Sequence, residues 1–203
     1  MSARVVLCYG DSNTLGWDAT TGSRFPQEVR WPGLLAAKLG DGWRVVEDGV
    51  GGRMTIYDDP VLAGVNGLRG LEPALRANAP LDLVVLFLGT NDFKPQLGLA
   101  AGAVADGVRA LVEHVLASDT GPGGGAPAVL VLGLPRLGRH HGFSAAEWAR
   151  LPALLHALTR ELGVGFLDLS EVTAYADPDG YHLDAGGHAA VAAAVAHAIK
   201  GAR

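Results

Sequence analysis

Two short segments, far apart in the chain, carry the residue types of nucleophilic catalysis. The first lies at residues 10–14 (GDSNT), where the hydroxyl of Ser12 would become a nucleophile once a base removed its proton. The second lies at residues 179–182 (DGYH), where Asp179 can reach Nδ1 of His182 and leave Nε2 free to accept that proton. Taken alone, the first segment is typical of an ordinary turn, and a histidine before a helix is more often an ordinary surface residue.

Two further segments carry groups that could donate hydrogen bonds to a ligand. Residues 48–53 (DGVGGR) contain paired glycines, which let a backbone N–H such as that of Gly52 approach a ligand closely. Residues 89–92 (GTND) contain Asn91, whose side-chain amide can donate into the same crevice. A flexible turn and a helix-capping Asn or Asp are the alternative interpretations, and neither segment decides between them alone.

Short apolar runs alternate with longer segments of helical period, and this alternation predicts βαβ units around a parallel sheet. Five runs are predicted as buried strands: residues 4–9, 43–47, 82–88, 128–133 and 164–169. The predicted fold class is α/β, a three-layer α/β/α arrangement with a flavodoxin-like, doubly wound, five-stranded parallel sheet in one domain of residues 1–203. Ligands of such folds bind outside the carboxyl ends of the strands, and all four segments follow a predicted strand.

Three helix boundaries can also be predicted. Trp31 and the proline after it suit a first helical turn, and Gly40 stands where that helix would end. Ser144 and Glu147 have the spacing of a capping box, which predicts another helix start. Pro152 would then kink this second helix or delay its start.

Composition and charge narrow the class of protein and its partners. Of the 203 residues, 49% are hydrophobic and 18% are charged, which excludes a disordered chain and a highly charged coiled coil. The formal net charge of −5, without a run of Lys or Arg, argues against nucleic acid as a partner. Cys8 is the single cysteine, and the longest apolar runs are far below the ~20 residues of a membrane span. We therefore expect a soluble, cytoplasmic protein with no internal disulfide and no secretory leader.

Together the four segments resemble the blocks of the SGNH (GDSL-type) hydrolases, in the same order and across nearly the whole chain. The context at residues 6–12, 30–32, 58–60 and 81–92 is similar to bacterial arylesterases and acyltransferases and to carbohydrate acetylesterases. The resemblance implies a serine esterase that acts on short acyl esters through an acyl-enzyme, with acyl transfer to alcohols as a second activity. The implied substrate is a small-molecule ester, and no metal or organic cofactor is implied.

The resemblance also assigns roles to individual residues. Ser12 would be the nucleophile, His182 the general base and then the acid, and Asp179 the partner that orients the imidazole and stabilises its charged form. The backbone N–H groups of Ser12 and Gly52 and the side-chain amide of Asn91 would form the oxyanion hole.

Four residues near these motifs are expected to line the acyl or alcohol pocket, although packing in the fold explains them equally well: Asn13, Leu15, Trp17 and Phe93. Relatives usually carry Leu and Trp at the positions of Asn13 and Leu15, so we expect a pocket of different shape. The loop at residues 140–143 (HHGF) is expected to form a rim of the site. Relatives form dimers or larger closed assemblies, which implies a homo-oligomer.

A second hypothesis, from a different class, is a flavodoxin-like module without catalysis that binds a small molecule or nucleotide at the first strand-to-helix turn. This hypothesis explains residues 10–14 but not the pairing of Asp179 with His182. A metallohydrolase is disfavoured because the sequence contains no His-Glu-x-x-His or similar ligand spacing.

Overall fold

A parallel sheet of five strands forms the centre of the computed structural model, which describes residues 3–139, 142–176 and 179–201. The strands of the described residues are β1 (Arg4–Gly10), β2 (Trp17–Asp18), β3 (Ser23–Arg24), β4 (Trp43–Gly49), β5 (Leu83–Phe87), β6 (Ala128–Gly133) and β7 (Gly165–Asp168). The order across the parallel sheet is β4-β1-β5-β6-β7, and β2 pairs only with β3, antiparallel.

The five predicted strands are confirmed, each within two residues of its predicted bounds. They were predicted as buried, but β4 and β7 lie at the two edges of the sheet and are only partly buried. Strand β1 lies between β4 and β5, which is the strand order of a flavodoxin-like, doubly wound sheet and confirms the predicted fold class. The pair of β2 and β3 was not predicted, because strands of two residues are too short to show an alternating pattern.

Six α-helices are present among the described residues: α1 (Ser12–Leu15), α2 (Trp31–Leu39), α3 (Gly67–Asn78), α4 (Ala101–Leu116), α5 (Ala145–Leu162) and α6 (Ala185–Gly201). Helix α2 packs against α6, and α4 packs against α3 and α5. The predicted start of α2 at Trp31 and its end at Gly40 are confirmed. The Ser144 side chain caps α5 by accepting from the Glu147 N–H, and α5 continues through Pro152 rather than starting after it.

The core lies between the sheet and the two groups of helices. In β1 the side chains of residues 6–9 are fully buried, as expected for a parallel strand covered on both faces. In α4 one stripe faces the sheet, formed by the buried residues Val104, Val108, Leu111, Val112 and Val115. No helix in the described part of the chain is both long and apolar enough to cross a membrane.

Glycines at two neighbouring strand ends allow α1 to lie directly on the edge of the sheet. Gly10 ends β1 and is paired with Gly49, which ends β4. A Cβ atom on Gly10 would overlap the side chain of Thr14, and one on Gly49 would overlap the backbone of Leu15. The absence of both Cβ atoms therefore positions the first turn of α1, which begins with Ser12, at the carboxyl edge of the sheet.

Candidate active site

Three of the residues singled out from the sequence form one line of hydrogen bonds at this edge. The Oγ atom of Ser12 lies 2.8 Å from Nε2 of His182, and Nδ1 of the same ring lies 2.6 Å from Oδ2 of Asp179. Because a carboxylate only accepts hydrogen bonds, Nδ1 carries the ring proton and Nε2 is free to accept from the Ser12 hydroxyl. Ser12 and His182 are both buried, although 170 residues separate them in the sequence.

Asp11 shapes the turn that presents Ser12. Its Oδ1 atom accepts a hydrogen bond of 2.8 Å from the Asn13 N–H, and its backbone carbonyl accepts from the N–H groups of Thr14 and Leu15. The side chain is buried, and burial raises the pKa of the Asp11 carboxyl. The Asp11 carboxylate thus caps α1 as an N-cap residue does.

The Asp179 carboxylate orders the segment that carries His182. Its Oδ1 atom accepts hydrogen bonds of 3.2 Å from the N–H groups of Tyr181 and His182, while Oδ2 accepts from the imidazole. The backbone carbonyl of His182 accepts a further hydrogen bond, of 2.9 Å, from the Ala176 N–H. One carboxylate therefore sets both the backbone and the ring orientation of His182.

The predicted oxyanion-hole residues lie together beside Ser12. The Nδ2 atom of Asn91 is 3.0 Å from the carbonyl oxygen of Arg53, the neighbour of Gly52, and 3.4 Å from Oδ2 of Asp11, the neighbour of Ser12. Within the described residues, neither the Ser12 N–H nor the Gly52 N–H donates a hydrogen bond. Both N–H groups are thus available to a ligand at this edge of the sheet.

Both the backbone conformation and the close neighbour of Gly52 exclude a residue with a Cβ atom. Its φ of 80° lies in the left-handed region, where residues with a Cβ are strained. A Cβ on Gly52 would also lie only 2.7 Å from Cδ2 of Leu62, which means that the Leu62 side chain lies directly over Gly52. A larger residue at position 52 would therefore move both the backbone N–H and the leucine above it.

Two buried side chains that were not singled out from the sequence stabilise the segments that carry Gly52 and Asn91. Arg53 donates to the Gly10 carbonyl at 2.9 Å and to the Asp48 carboxylate at 2.7 Å, and its guanidinium lies 4.0 Å from the centre of the Tyr9 ring. Asp92 accepts from both the N–H and the hydroxyl of Thr55. Burial raises the pKa of Asp92 to about 6.

The four residues expected to line the pocket lie in different environments. Asn13 is only 1% exposed, and its side chain bonds to the segment around His182, so its amide is not available to line an open pocket. Leu15 is half-buried, and Trp17 is 37% exposed. Phe93 is buried with its ring 5.0 Å from that of Trp148, and it is one of the residues that line a cavity of about 480 Å³. The contact of Leu15, Trp17 and Phe93 with substrate stays a prediction.

An aromatic wall connects that cavity to His182. Phe143 lines the cavity, and its ring lies 5.4 Å from the ring of Tyr181, which in turn lies 4.7 Å from the imidazole of His182. Phe143 belongs to the loop that was expected to form a rim of the site, whereas His140 and His141 lie outside the described residues. Sequence patterns did not reveal Tyr181 as part of this wall, since a lone tyrosine beside a histidine carries no periodic signal.

An exposed loop tip borders the site on the side of Gly52. Val61 is 89% and Leu62 46% exposed. Asp59 fixes the tip because its Oδ1 atom accepts from both N–H groups, at 2.8 and 3.0 Å, while Oδ2 pairs with Lys94 at 2.5 Å. The hydrogen bond from Lys94 is the main reason why the pKa of Asp59 is lowered to about 2.

The geometry brings a hydroxyl, an imidazole and amide groups together at one edge of the sheet, and comparisons with known proteins assign a family. Residues 8–190 match the profile of the GDSL-like lipase/acylhydrolase family. The chain belongs to this family. In the described part of this acylhydrolase, no group of three or more His, Cys, Asp or Glu side chains is arranged to hold a metal ion.

Solved structures of related proteins match the acylhydrolase fold along its full length. A carbohydrate acetylesterase from Sinorhizobium meliloti is 36% identical, with 98% of this chain and 100% of that chain covered and a TM-score of 0.93. The aryl esterase of M. smegmatis is 33% identical, with 98% and 99% covered and a TM-score of 0.92. A carbohydrate acetylesterase family member from Sinorhizobium meliloti is 37% identical, with 97% of each chain covered and a TM-score of 0.90. No curated protein sequence matches the chain at a significant level.

Proposed function

We propose that this chain is a carboxylic ester hydrolase that cleaves short-chain acyl esters through an acyl-enzyme on Ser12. The observation that carries the proposal is the line of hydrogen bonds from Ser12 through His182 to Asp179, at 2.8 and 2.6 Å. This arrangement is that of a serine nucleophile with its base and the carboxylate that orients the base. The proximity of Gly52 and Asn91 to Ser12 supports their assignment as donors to the developing oxyanion.

The reaction follows from the roles of these atoms. The Ser12 Oγ atom attacks the ester carbonyl while Nε2 of His182 takes the hydroxyl proton, and the carbonyl oxygen becomes an oxyanion bound by the N–H groups of Ser12 and Gly52 and by the Asn91 amide. The intermediate then expels the alkoxide, which His182 protonates to the alcohol. Water, deprotonated by His182, attacks the acyl-enzyme and releases the acid and the free serine.

Short acyl groups and a bulkier alcohol are the substrate class that the surroundings favour. Leu62 covers Gly52 and limits the space beside the oxyanion donors. The wall of Phe143 and Tyr181 offers apolar rings on the other side of His182. The similarity to a carbohydrate acetylesterase and an aryl esterase supports this combination of a short acyl group and a bulkier alcohol. An alcohol that replaces water in the second step would give acyl transfer, which we propose as a second activity.

The proposed function is tested by Ser12→Ala with p-nitrophenyl acetate as substrate. We expect turnover to fall about a millionfold, because removing the nucleophile of such a triad has an effect of this order. Ser118→Ala is the control, since Ser118 follows α4 and its hydroxyl bonds to the Val115 carbonyl, away from the site. Both variants should unfold cooperatively, with the same free energy of unfolding as wild type to within about 2 kcal/mol.

Three outcomes would contradict the proposal. Full activity in the Ser12→Ala variant would refute the nucleophile. Loss of wild-type activity in EDTA with recovery on addition of zinc would favour a metallohydrolase. A wild-type protein that hydrolyses no ester of an acyl-chain panel but binds a nucleotide would favour the non-catalytic module.

We also infer a homo-oligomer whose interface includes the exposed apolar side chains near Gly52. Four exposed large apolar side chains lie on segments that follow β1 and β4 at the carboxyl edge: Trp17, Val50, Val61 and Leu62. Exposed apolar side chains on one side of a molecule commonly mark protein interfaces. Sedimentation velocity should show a species larger than the 20.9 kDa chain, and Val61→Lys should shift it towards the monomer. A wild-type protein that sediments as a monomer at all concentrations would overturn this inference.

A further inference from the structure

The side chain of Asn13 contacts both residues that flank His182. Its Oδ1 atom accepts a hydrogen bond of 3.0 Å from the Leu183 N–H, and its Nδ2 atom donates one of 3.2 Å to the Tyr181 carbonyl. These partners are 168 and 170 residues away in the sequence. Asn13 itself directly follows Ser12, so one amide joins the nucleophile turn to the segment that carries the imidazole.

The Asn13 side chain is buried, and its amide makes its hydrogen bonds within the protein. The residue is 1% exposed, and Nδ2 also lies 3.5 Å from the hydroxyl of Tyr175, which is bonded in turn to the hydroxyl of Thr90 at 3.0 Å. An asparagine suits this position because one end accepts and the other donates. A leucine of similar size would leave the Leu183 N–H and the Tyr181 carbonyl without partners, and an aspartate would place a second oxygen against that carbonyl.

Asn13 and Asp179 hold His182 relative to different parts of the molecule. Asp179 is three residues from His182 and bonds to the ring and to its own segment, so it orients the imidazole locally. Those bonds do not determine where the segment lies relative to Ser12. The two hydrogen bonds of Asn13 do, because they begin one residue from the nucleophile and end on either side of the base.

We propose that Asn13 is a positioning residue that sets the distance between the Ser12 hydroxyl and the His182 imidazole. The proposal rests on the proposed ester hydrolysis, since it concerns the proton transfer from Ser12 to His182. That transfer needs the 2.8 Å separation of Oγ and Nε2, and a displacement of ~1 Å in such a geometry lowers the rate about 100-fold. Asn13 acts through His182 and does not touch the reacting atoms.

The first test is Asn13→Leu, which introduces the residue usual among relatives into a chain whose Tyr181 carbonyl and Leu183 N–H are both bonded to the Asn13 amide. We expect kcat for p-nitrophenyl acetate to fall about 100-fold while KM changes little, because the substrate site is intact and only the geometry of proton transfer is lost. The control is Thr159→Val, which also removes a buried polar group, a hydroxyl bonded to the Leu155 carbonyl at 2.8 Å near the end of α5. This control should lower the stability but leave kcat unchanged.

The second test, Asn13→Asp, separates positioning from general destabilisation. Ionised aspartate can accept from the Leu183 N–H but repels the Tyr181 carbonyl, whereas the protonated form can donate to that carbonyl as Asn13 does. Asn13 is as buried as Asp11, whose pKa burial raises, so we expect burial to raise the pKa of the new carboxyl as well. The ratio of kcat for this variant to kcat for wild type should therefore rise several-fold as the pH falls from 8 to 5.5. Measuring the ratio cancels the titration of groups that both proteins share.

The outcomes distinguish this proposal from the proposed function. If wild type hydrolyses the ester and Ser12→Ala does not, but Asn13→Leu retains wild-type kcat, the positioning role is wrong and the esterase function stands. A ratio for Asn13→Asp that is flat with pH, or an equal loss of kcat in Thr159→Val, would also overturn the positioning role. If Asn13→Leu does not fold, the pH dependence of Asn13→Asp decides. A wild-type protein without esterase activity would instead refute the proposed function.

Discussion

Asn91 donates its side-chain amide to the carbonyl oxygen of Arg53 over 3.0 Å, which joins the segment after β5 to the loop after β4. The Arg53 guanidinium, in turn, bonds to the Gly10 carbonyl at the end of β1. The donors proposed for the oxyanion hole are thus fixed to the ends of three adjacent strands, which preorganises them before a substrate arrives. The other amide hydrogen of Asn91 points to Oδ2 of Asp11 over a longer 3.4 Å, and an oxyanion would take the place of this longer contact.

Replacement of Asn91 by Ala should lower kcat for p-nitrophenyl acetate about 100- to 1000-fold, because one donor to the oxyanion is lost. KM should change less, since the donor acts mainly on charge that develops in the transition state. Asn78→Ala is the control: Asn78 ends α3, and its amide bonds to the Ala74 carbonyl. Equal kcat values for the two variants would exclude Asn91 from the oxyanion hole.

Replacement of Asp179 by Asn should lower kcat about 10⁴-fold, because an amide no longer selects the ring tautomer that leaves Nε2 free to accept a proton. The backbone of the segment should remain ordered, as Oδ1 can still accept from the Tyr181 and His182 N–H groups. Asp168→Asn is the matched control, since this carboxylate also caps a backbone N–H, that of Ser170. Steady-state kinetics of both variants check the prediction, and an Asp179 variant as active as the control would contradict it.

Replacement of Leu62 by Ala should widen the acyl side of the site. Leu62 lies over Gly52, and each methylene accommodated in an apolar pocket changes specificity about 10- to 200-fold. We expect the ratio of kcat/KM for p-nitrophenyl butyrate to that for the acetate to rise at least about tenfold. Leu116→Ala, the same replacement at an exposed leucine that ends α4, should leave this ratio unchanged, and an unchanged ratio in the Leu62 variant would remove Leu62 from the pocket.

The sequence predicted those parts of the protein that depend on local patterns. Each of the five strands contains a short apolar run, α2 begins at Trp31 beside a helix-starting proline, and Asp179 is near enough to His182 in the chain to suggest contact. The roles of Asn13 and Arg53 were not predictable, because their partners lie as far as 170 and 43 residues away. Only the packing of the sheet brings those partners together, and a hydrogen bond of this kind leaves no periodic trace in a single sequence.

Two buried ionisable groups outside the proposed reaction should govern the pH dependence of stability in opposite directions. Burial lowers the pKa of His188 to about 4, and its Nδ1 atom accepts from the Trp31 N–H at 3.3 Å. The unfolded chain therefore binds the proton first, and stability is lost as the pH falls from ~6.5 to about 4. Asp92, with its pKa raised to about 6, binds a proton first in the folded state, so its contribution is lost as the pH rises from ~4 to about 6.

Replacement of Asp92 by Asn should therefore steepen the loss of stability in acid. The variant keeps an oxygen that can accept from Thr55, but it no longer gains from protonation, so the decline caused by His188 is not offset. Relative to wild type, its free energy of unfolding should fall by on the order of 3 kcal/mol between pH 7 and pH 4. Urea unfolding at several pH values measures this difference. The double replacement of Asp92 by Asn and His188 by Asn should flatten the curve again, whereas parallel curves for wild type and both variants would show that neither group titrates on unfolding.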